Sequence, residues 1–436
     1  MIAAWMMAAT AHAFCGTYVG DGSETLLNQG SQIAITRQDG KTTITMANDY
    51  VGNLDAFAML VPVPVVLQEE DVRVVSADLV NRLDSYSAPR LVRYTCEDFM
   101  GFDMMSSASA CGDKDAMLSV QSADSADTAL NVTVENSFEV GIYEIVILSA
   151  EDAGDLLTWL DREGYAADPA AEEMLGDYIE QGTYFFAAKV SLDDLGASKW
   201  LEPLQFSYEA STLALPIRLG TLNSPGEQDL VIYVVNEAEF GSAGISNYPQ
   251  ISVESECMWE PASGGETVGD HYNSAFDAAW EEGAEGGAAW SREYSWSPAK
   301  CDPCPDGGAL TDQDVAALGF SGIAASAHFT RLRVRYTPEA AAEDLMLYLS
   351  HDSSTEQVRF IEYHEPLEDM FPICGEGWVP ADEAGSCWDE DGEATARTRQ
   401  PIGRALAAFA ALAAGVAMRR RQSASGQSRQ DSGPAV

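Results

Sequence analysis

Basic residues are scarce in this chain: 24 Lys and Arg stand against 69 Asp and Glu, a formal net charge of -45 over 436 residues. So negative a body repels nucleic acid and anionic lipid, which argues against a nucleic-acid function. Histidine is scarcer still, at five. None of His271, His328, His351 and His364 stands in an HExxH pair or beside a G-x-S-x-G elbow. His364-Glu365-Pro366 lacks the second histidine. There is no P-loop and no G-x-G-x-x-G, so the phosphate cradle and the dinucleotide turn are both missing. No calcium-loop spacing organises the acids. The surplus charge therefore reads first as solubility under counter-ion screening, and only second as divalent-cation binding. No apolar run reaches the ~18 residues of an unambiguous membrane span.

What is present is enough to build a core. Hydrophobic residues make up 46% of the chain, and the length suits two or three domains. The run 55–67 is nearly free of polar groups and holds Pro62 and Pro64. Proline lacks the N–H and locks φ, so this is no helix interior and no fully paired strand. It reads as a buried strand over 57–61 ending in an extended Pro-x-Pro segment at a sheet edge. Upstream, 32–35 and 41–46 alternate around Asp39-Gly40, a hairpin signal.

Ser76 is a plausible cap for a helix carrying Leu79, Val80 and Leu83 on one face, stopped at Ala88-Pro89. The run 138–148 reads as one strand. Ser149 then caps a helix over 151–162 with Leu156, Trp159 and Leu160 as its stripe, closed by Gly164. Asp168-Pro169 opens a second helix, with Met174, Leu175, Tyr178 and Ile179 on one face and Gly182 at its end. Strands follow at 184–190, 204–208, 213–219 and 230–235.

From 237 the composition turns to Gly, Ser, acid and Trp. Phe276 and Trp280 mark a helix, and 288–296 a strand. Thr311 and Asp314 resemble a capping box. The strand 328–336 alternates Phe329, Leu332, Val334 and Tyr336 with Arg331, Arg333 and Arg335, a half-exposed strand whose basic face pairs with surrounding acid. Final strands fall at 344–350 and 358–363.

There are eight cysteines: Cys15, Cys96, Cys111, Cys257, Cys301, Cys304, Cys374 and Cys387. An even number in an exported chain points to a disulfide framework. A local Cys96–Cys111 bond is the first expectation, contributing about 3 kcal/mol through loop closure. Cys374 and Cys387 enclose a Trp- and Gly-containing loop. Export is read from the start: small and apolar residues run to Thr10, and Ala11-His12-Ala13 is a small-x-small site. Cleavage between Ala13 and Phe14 leaves Phe14-Cys15 as the mature start. The basic n-region is missing, as if the true start lay upstream. Phe14 is too large for the residue before a lipidated cysteine.

The end differs from the rest. Residues 402–418 are apolar apart from Arg404, and Arg419-Arg420-Arg421 follow. As a helix this run covers roughly 25 Å, just short of a hydrocarbon core, a gap that snorkelling arginines close. The basic cluster places the body outside the membrane. The competing reading is an amphipathic helix lying on a surface.

The chemistry-bearing motif is Cys301-x-x-Cys304. It reads as a structural disulfide first, with a redox pair or half a zinc site as alternatives. No second CxxC completes a zinc site, and prolines rather than a helix start flank the pair. Trp259, Trp280, Trp290 and Trp296 read as anchors of a thinly hydrophobic region before they read as a sugar- or peptide-stacking surface.

Several segments together resemble a bacterial exported family catalogued as domain of unknown function 2330. They are Phe14-Cys15-Gly16-Thr17-Tyr18-Val19, the run 57–64, Ala88-Pro89-Arg90-Leu91-Val92, Gly141-Ile142-Tyr143-Glu144, the helix end 160–165, Cys301-Asp302-Pro303-Cys304, and 330–337. The resemblance covers most of 14–350. It implies export and carries over no catalytic residue. The C-terminal layout is similar to the sorting tails of some Gram-negative surface proteins.

The expected fold is α+β: mixed or antiparallel sheets with a two-helix insertion between strands, disulfide-stabilised. The expected organisation is a signal peptide (1–13), an α+β domain (14–236), a Trp-, Gly- and acid-rich α+β region holding the CxxC (237–392), a linker (393–401), a membrane or sorting segment (402–421) and a disordered tail (422–436). The expected role is non-catalytic, binding or structural, at the cell surface, with an extracellular or surface partner. No cofactor is implied. The alternative is an extracytoplasmic enzyme, either a thiol–disulfide protein using Cys301 and Cys304 or a hydrolase.

Overall fold

Asp39 and Gly40 both sit at positive φ, 51° and 82°, as a tight turn between right-twisted strands requires. They join two strands in register from Ser31↔Asn48 to Gln38↔Lys41. The structure is a computed structural model, and it describes residues 11–12, 16–20, 31–48, 56–92, 130–191, 201–224, 226–254, 257–258 and 267–362. These residues fall in one compact unit.

In chain order the longer strands are β1 (Thr17–Gly20), β2 (Ser31–Gln38), β3 (Lys41–Asn48), β4 (Ala56–Val63), β5 (Val132–Val140), β6 (Tyr143–Ala150), β7 (Tyr184–Ser191), β8 (Leu204–Glu209), β9 (Gln228–Glu237), β10 (Ala288–Trp296), β11 (Ala327–Tyr336) and β12 (Leu345–Leu349). The helices are α1 (Ala77–Ser87), α2 (Ala153–Arg162), α3 (Ala171–Glu180), α4 (Val268–Gly283) and α5 (Asp312–Ala317).

The main sheet is ten-stranded, in the order Gln250–Ile251, β10, β11, β9, β2, β3, β8, Val72–Val74. Ala11–His12 pairs with β9, and Glu356–Gln357 with β10. β9 lies at its centre, antiparallel to β11 and parallel to β2. Strands from both sides of the expected 236/237 division therefore share this sheet. The second sheet is five-stranded and antiparallel, in the order β1, β4, β7, β6, β5.

The two sheets face each other across one core. Ile33, Ile44, Phe206, Ile232 and Leu332 of the main sheet meet Phe57, Met59, Ile145, Ile147 and Phe186 of the second. Period-2 alternation sends the neighbouring side chains outward. Leu60, Leu148 and Phe185 thus face Leu156, Trp159 and Leu175 of the two inserted helices, α2 and α3. On the far side, Tyr233, Tyr294 and Phe329 face Leu83 and Tyr86 of α1 and Val315 of α5. A smaller core holds Phe276 of α4 against Ile251, Val253, Ala289 and Phe360. The result is helices, sheet, sheet, helices, the α+β arrangement expected, with mostly antiparallel pairing.

Four local expectations are corrected. The run 138–148 is two strands, because Gly141 and Ile142 turn the chain between β5 and β6. The cap of α2 is Asp152, whose carboxylate accepts from Asp155 N at 3.0 Å, not Ser149. The run 213–219 is a two-residue strand, Ala214–Leu215, followed by a 3₁₀ helix over Arg218–Asn223. The strand expected over 57–61 runs further: β4 passes through Pro62, which pairs with Phe185, and stops at Val63, before Pro64. The other neighbour, β1, reaches only Phe57 to Leu60, so Pro62 lies where one side alone is paired among the described residues.

Candidate functional site

Helix α1 is started by Ser76, which accepts from Asp78 N at 3.2 Å. Leu79, Val80, Leu83 and Tyr86 bury its inner face. Arg82, Tyr86 and Arg90 then recur every four residues, so they line one side of the helix and its exit. All three reach for one loop, the connection from β10 to α5.

The reach is to backbone. Arg82 Nη2 lies 2.9, 2.9 and 2.6 Å from the carbonyls of Gly307, Gly308 and Ala309. The Tyr86 hydroxyl donates toward Ser297 O at 3.1 Å and Lys300 O at 2.7 Å, and Tyr294 donates to Tyr86 at 2.9 Å. Arg90 Nη1 donates to Pro303 O at 3.4 Å, and its Nη2 donates to Tyr86 O. Burial, then the neighbouring Tyr294, pushes the Tyr86 hydroxyl far above its ordinary range, so it stays a donor. The loop closes its own base through Leu310 N to Pro298 O at 2.9 Å.

Within this loop Cys301 and Cys304 form a disulfide, with Cα atoms 4.7 Å apart. Cys301 is half-buried against the outer core, while Cys304 is exposed. So short a ring confines the unfolded chain little, and loop closure credits it with about 2 kcal/mol. The side chains of Arg82, Tyr86 and Arg90 already hold the loop on either side of the bond. Of the other cysteines, Cys15, Cys96, Cys111, Cys374 and Cys387 lie outside the described residues, as do the cleavage site Ala13–Phe14 and the run 402–418. Cys257 lies on the short strand Cys257–Met258.

A second constellation underlies α4. The strand β11 is buried along its whole length, not half-exposed. Its outward side chains are Phe329, Arg331, Arg333 and Arg335, so Phe329 shares the arginine face rather than that of Leu332. Asp229 on β9 accepts from Arg335 Nε at 2.9 Å and Nη2 at 2.8 Å, and from Arg333 Nη2 at 3.2 Å. Arg335 also bonds Asp277 at 2.6 Å, and Arg333 bonds Asn273 at 3.0 Å. Arg331 bonds Glu293 at 2.5 Å and Asp84 at 2.7 Å. Glu293 faces this way because β10 bulges between Arg292 and Tyr294, and Tyr272 donates to its carboxylate. Phe276 of α4 sits over the guanidinium groups of Arg333 and Arg335 at 4.0 and 4.9 Å. Burial acts to raise the Asp229 carboxyl, but the hydrogen bonds and charges of Arg335 and Arg333 hold it below its usual value.

The Ser295 hydroxyl and His328 Nε2 lie 2.8 Å apart. Both residues are sealed in the sheet, Ser295 at 0% and His328 at 3% exposure, so no substrate reaches this pair. Burial, then the charge of Arg292, lowers the imidazole against the opposing pull of Asp352. Trp290 is core, and Trp280 lies over Arg335. Glu151, Asp152, Glu172, Glu173, Asp177 and Glu180 line an acidic hollow at α2 and α3. Among the described residues no three His, Cys, Asp or Glu side chains converge as metal ligands, and no helix is long and apolar enough to cross a membrane.

The model of the family described as an uncharacterized protein conserved in bacteria, DUF2330, matches residues 9–348. The chain belongs to this family. The DUF2330 match takes in α1, the disulfide loop and the buried arginines, and it stops within β12. No curated protein and no solved structure matches the chain.

Of the residues read from sequence, the structure joins Cys301 to Cys304 and pairs the β11 arginines with acid. Sequence reasoning missed Arg82, Tyr86 and Arg90 as partners of the loop. Their four-residue spacing was the available signal.

Proposed function

We propose that this DUF2330 chain is an exported protein with a binding or structural role at the bacterial cell surface, acting on an extracellular or surface partner. The observation that carries the reading is how its buried ionisable groups are committed. Arg331, Arg333, Arg335, Asp229 and Glu293 are bound to one another inside the fold. Such an arrangement fixes a scaffold and leaves recognition to the surface. The Cys301–Cys304 disulfide supports an oxidising compartment. The 402–418 segment would hold the protein at the envelope, or direct its sorting.

The test is intact mass spectrometry of the native chain from cytosolic, membrane and medium fractions. The proposal expects a mature start at Phe14, oxidised cysteines, and a tail present in the membrane form. A chain kept in the cytosol with its first residues intact and its thiols free would overturn it.

A second reading, thiol–disulfide exchange at Cys301 and Cys304, is favoured by one observation: the Cys304 side is exposed.

A further inference from the structure

We propose that the Cys301–Cys304 bond exchanges with an incoming thiolate, and that Cys304 is the sulfur attacked. The inference rests on the second reading above and assigns the direction of attack, the class of partner and the part played by α1.

Three observations carry it. The first is asymmetry: Cys304 is exposed, and Cys301 is half-buried against the outer core. Attack follows access, so one sulfur is open and the other shielded. The second is mechanical. The loop's carbonyls at Ser297, Lys300, Pro303, Gly307, Gly308 and Ala309 are gripped by Tyr86, Arg90 and Arg82. None of those contacts passes through a sulfur. The loop therefore keeps its shape when the bond opens, and the two thiols stay close enough to re-form it. The third is charge. In a chain of net charge -45, this loop is held by Arg82 and Arg90 and carries Lys300, set against its own Asp302 and Asp306. Cations near a cysteine favour its thiolate, the form that both leaves and attacks.

The step balances as an exchange. A partner thiolate attacks Cys304 Sγ, and a new S–S bond forms between partner and Cys304. The Cys301–Cys304 bond breaks, and its electron pair leaves on Cys301 as thiolate, which then takes a proton. A second thiolate, the other one of a dithiol partner or that of a second small-thiol molecule, attacks the partner's sulfur in the mixed disulfide and releases Cys304 as thiolate. The two partner thiols are oxidised to a disulfide, and this chain's disulfide is reduced to a dithiol. The partner is defined by that chemistry: an accessible thiolate, whether of a small thiol or of a protein dithiol.

The experiment uses the oxidised full chain in graded glutathione buffers and, in a parallel arm, with a reduced peptide bearing a CxxC pair. Samples are quenched in acid, alkylated, digested and mapped by mass spectrometry, while near-ultraviolet circular dichroism follows the fold. The expected result is reduction of the 301–304 peptide with the fold signal intact, and mixed disulfide mapped to Cys304. Reduction by glutathione assigns a small thiol as a competent source, and reduction by the peptide alone assigns a protein dithiol. In single-cysteine variants, Cys304 in Cys301→Ser reacts with a disulfide reagent about tenfold faster than Cys301 in Cys304→Ser, because access limits the rate. If the bond opens in neither arm until the dichroism signal collapses, the disulfide is structural, and both this inference and the second reading fall. If it opens with the fold intact but adducts map equally to both sulfurs, or to Cys301, the second reading stands and the assignment to Cys304 fails. Mapping on the wild-type chain decides this even if a variant does not fold.

Discussion

Arg335 grips Asp229 with two parallel hydrogen bonds inside the main sheet, and Arg333 shares the same carboxylate. Removing one partner from such a set leaves an uncompensated buried charge. Asp229→Ala is therefore expected to cost about 3–5 kcal/mol, read as a lowered urea midpoint. A midpoint unchanged from wild type would mean that the arginines find other partners.

The folded His328 imidazole lies below its ordinary value, for burial and then Arg292. The unfolded chain therefore binds a proton that the folded chain refuses. Stability from this site is complete above about pH 6.5 and declines as pH falls through that value. Asp229, also depressed, adds a loss at lower pH, below the ordinary carboxylate range. Asp344 runs the other way. Burial raises it, although Tyr178 donates to it at 2.7 Å and Ile217 N at 2.9 Å. Urea midpoints at about pH 8 and about pH 5.5 should fall with acid, and the fall should shrink in His328→Gln. An equal fall in wild type and variant would move the effect elsewhere.

Tyr86→Phe removes one hydroxyl from the grip on the disulfide loop and leaves Ser297 O, Lys300 O and the Tyr294 hydroxyl to find other partners. The expected loss is about 1–3 kcal/mol in stability, with faster proteolytic cleavage between residues 297 and 310. Cleavage at the wild-type rate would assign the hold on that loop to Arg82 and Arg90.

Gly241 has a φ of 64°, and a Cβ there would meet Asp352 O at 2.3 Å. Gly241→Ala combines backbone strain with a clash against another backbone. It should destabilise the chain by more than about 1 kcal/mol, measured by thermal or urea unfolding.

How much of this was readable in the residues depended on whether the partner was near in sequence. The Asp39-Gly40 hairpin, the Ser76 cap and the two inserted helices were legible because each is decided within a few residues. The β5–β6 turn was hidden because Ile142 keeps the apolar pattern running through it. The strand β11 showed its alternation but not its burial. Charged side chains at every second position look the same facing water or facing Asp229, which is 106 residues away from Arg335. The CxxC pair was visible at once. The grip on its loop was not, since Arg82 and Gly308 are 226 residues apart.

The placement of β9 sets a timetable for synthesis. A chain is made from its N-terminus, so β2 and β3 emerge long before β9, the partner of β2 across the parallel ladder. β9 in turn waits for β11, and β11 completes its row with β10. Until residue 237 is out, β2 lacks its ladder partner, and until residue 336 is out β9 lacks its second one. The centre of the main sheet therefore closes late, only when its last long strand arrives.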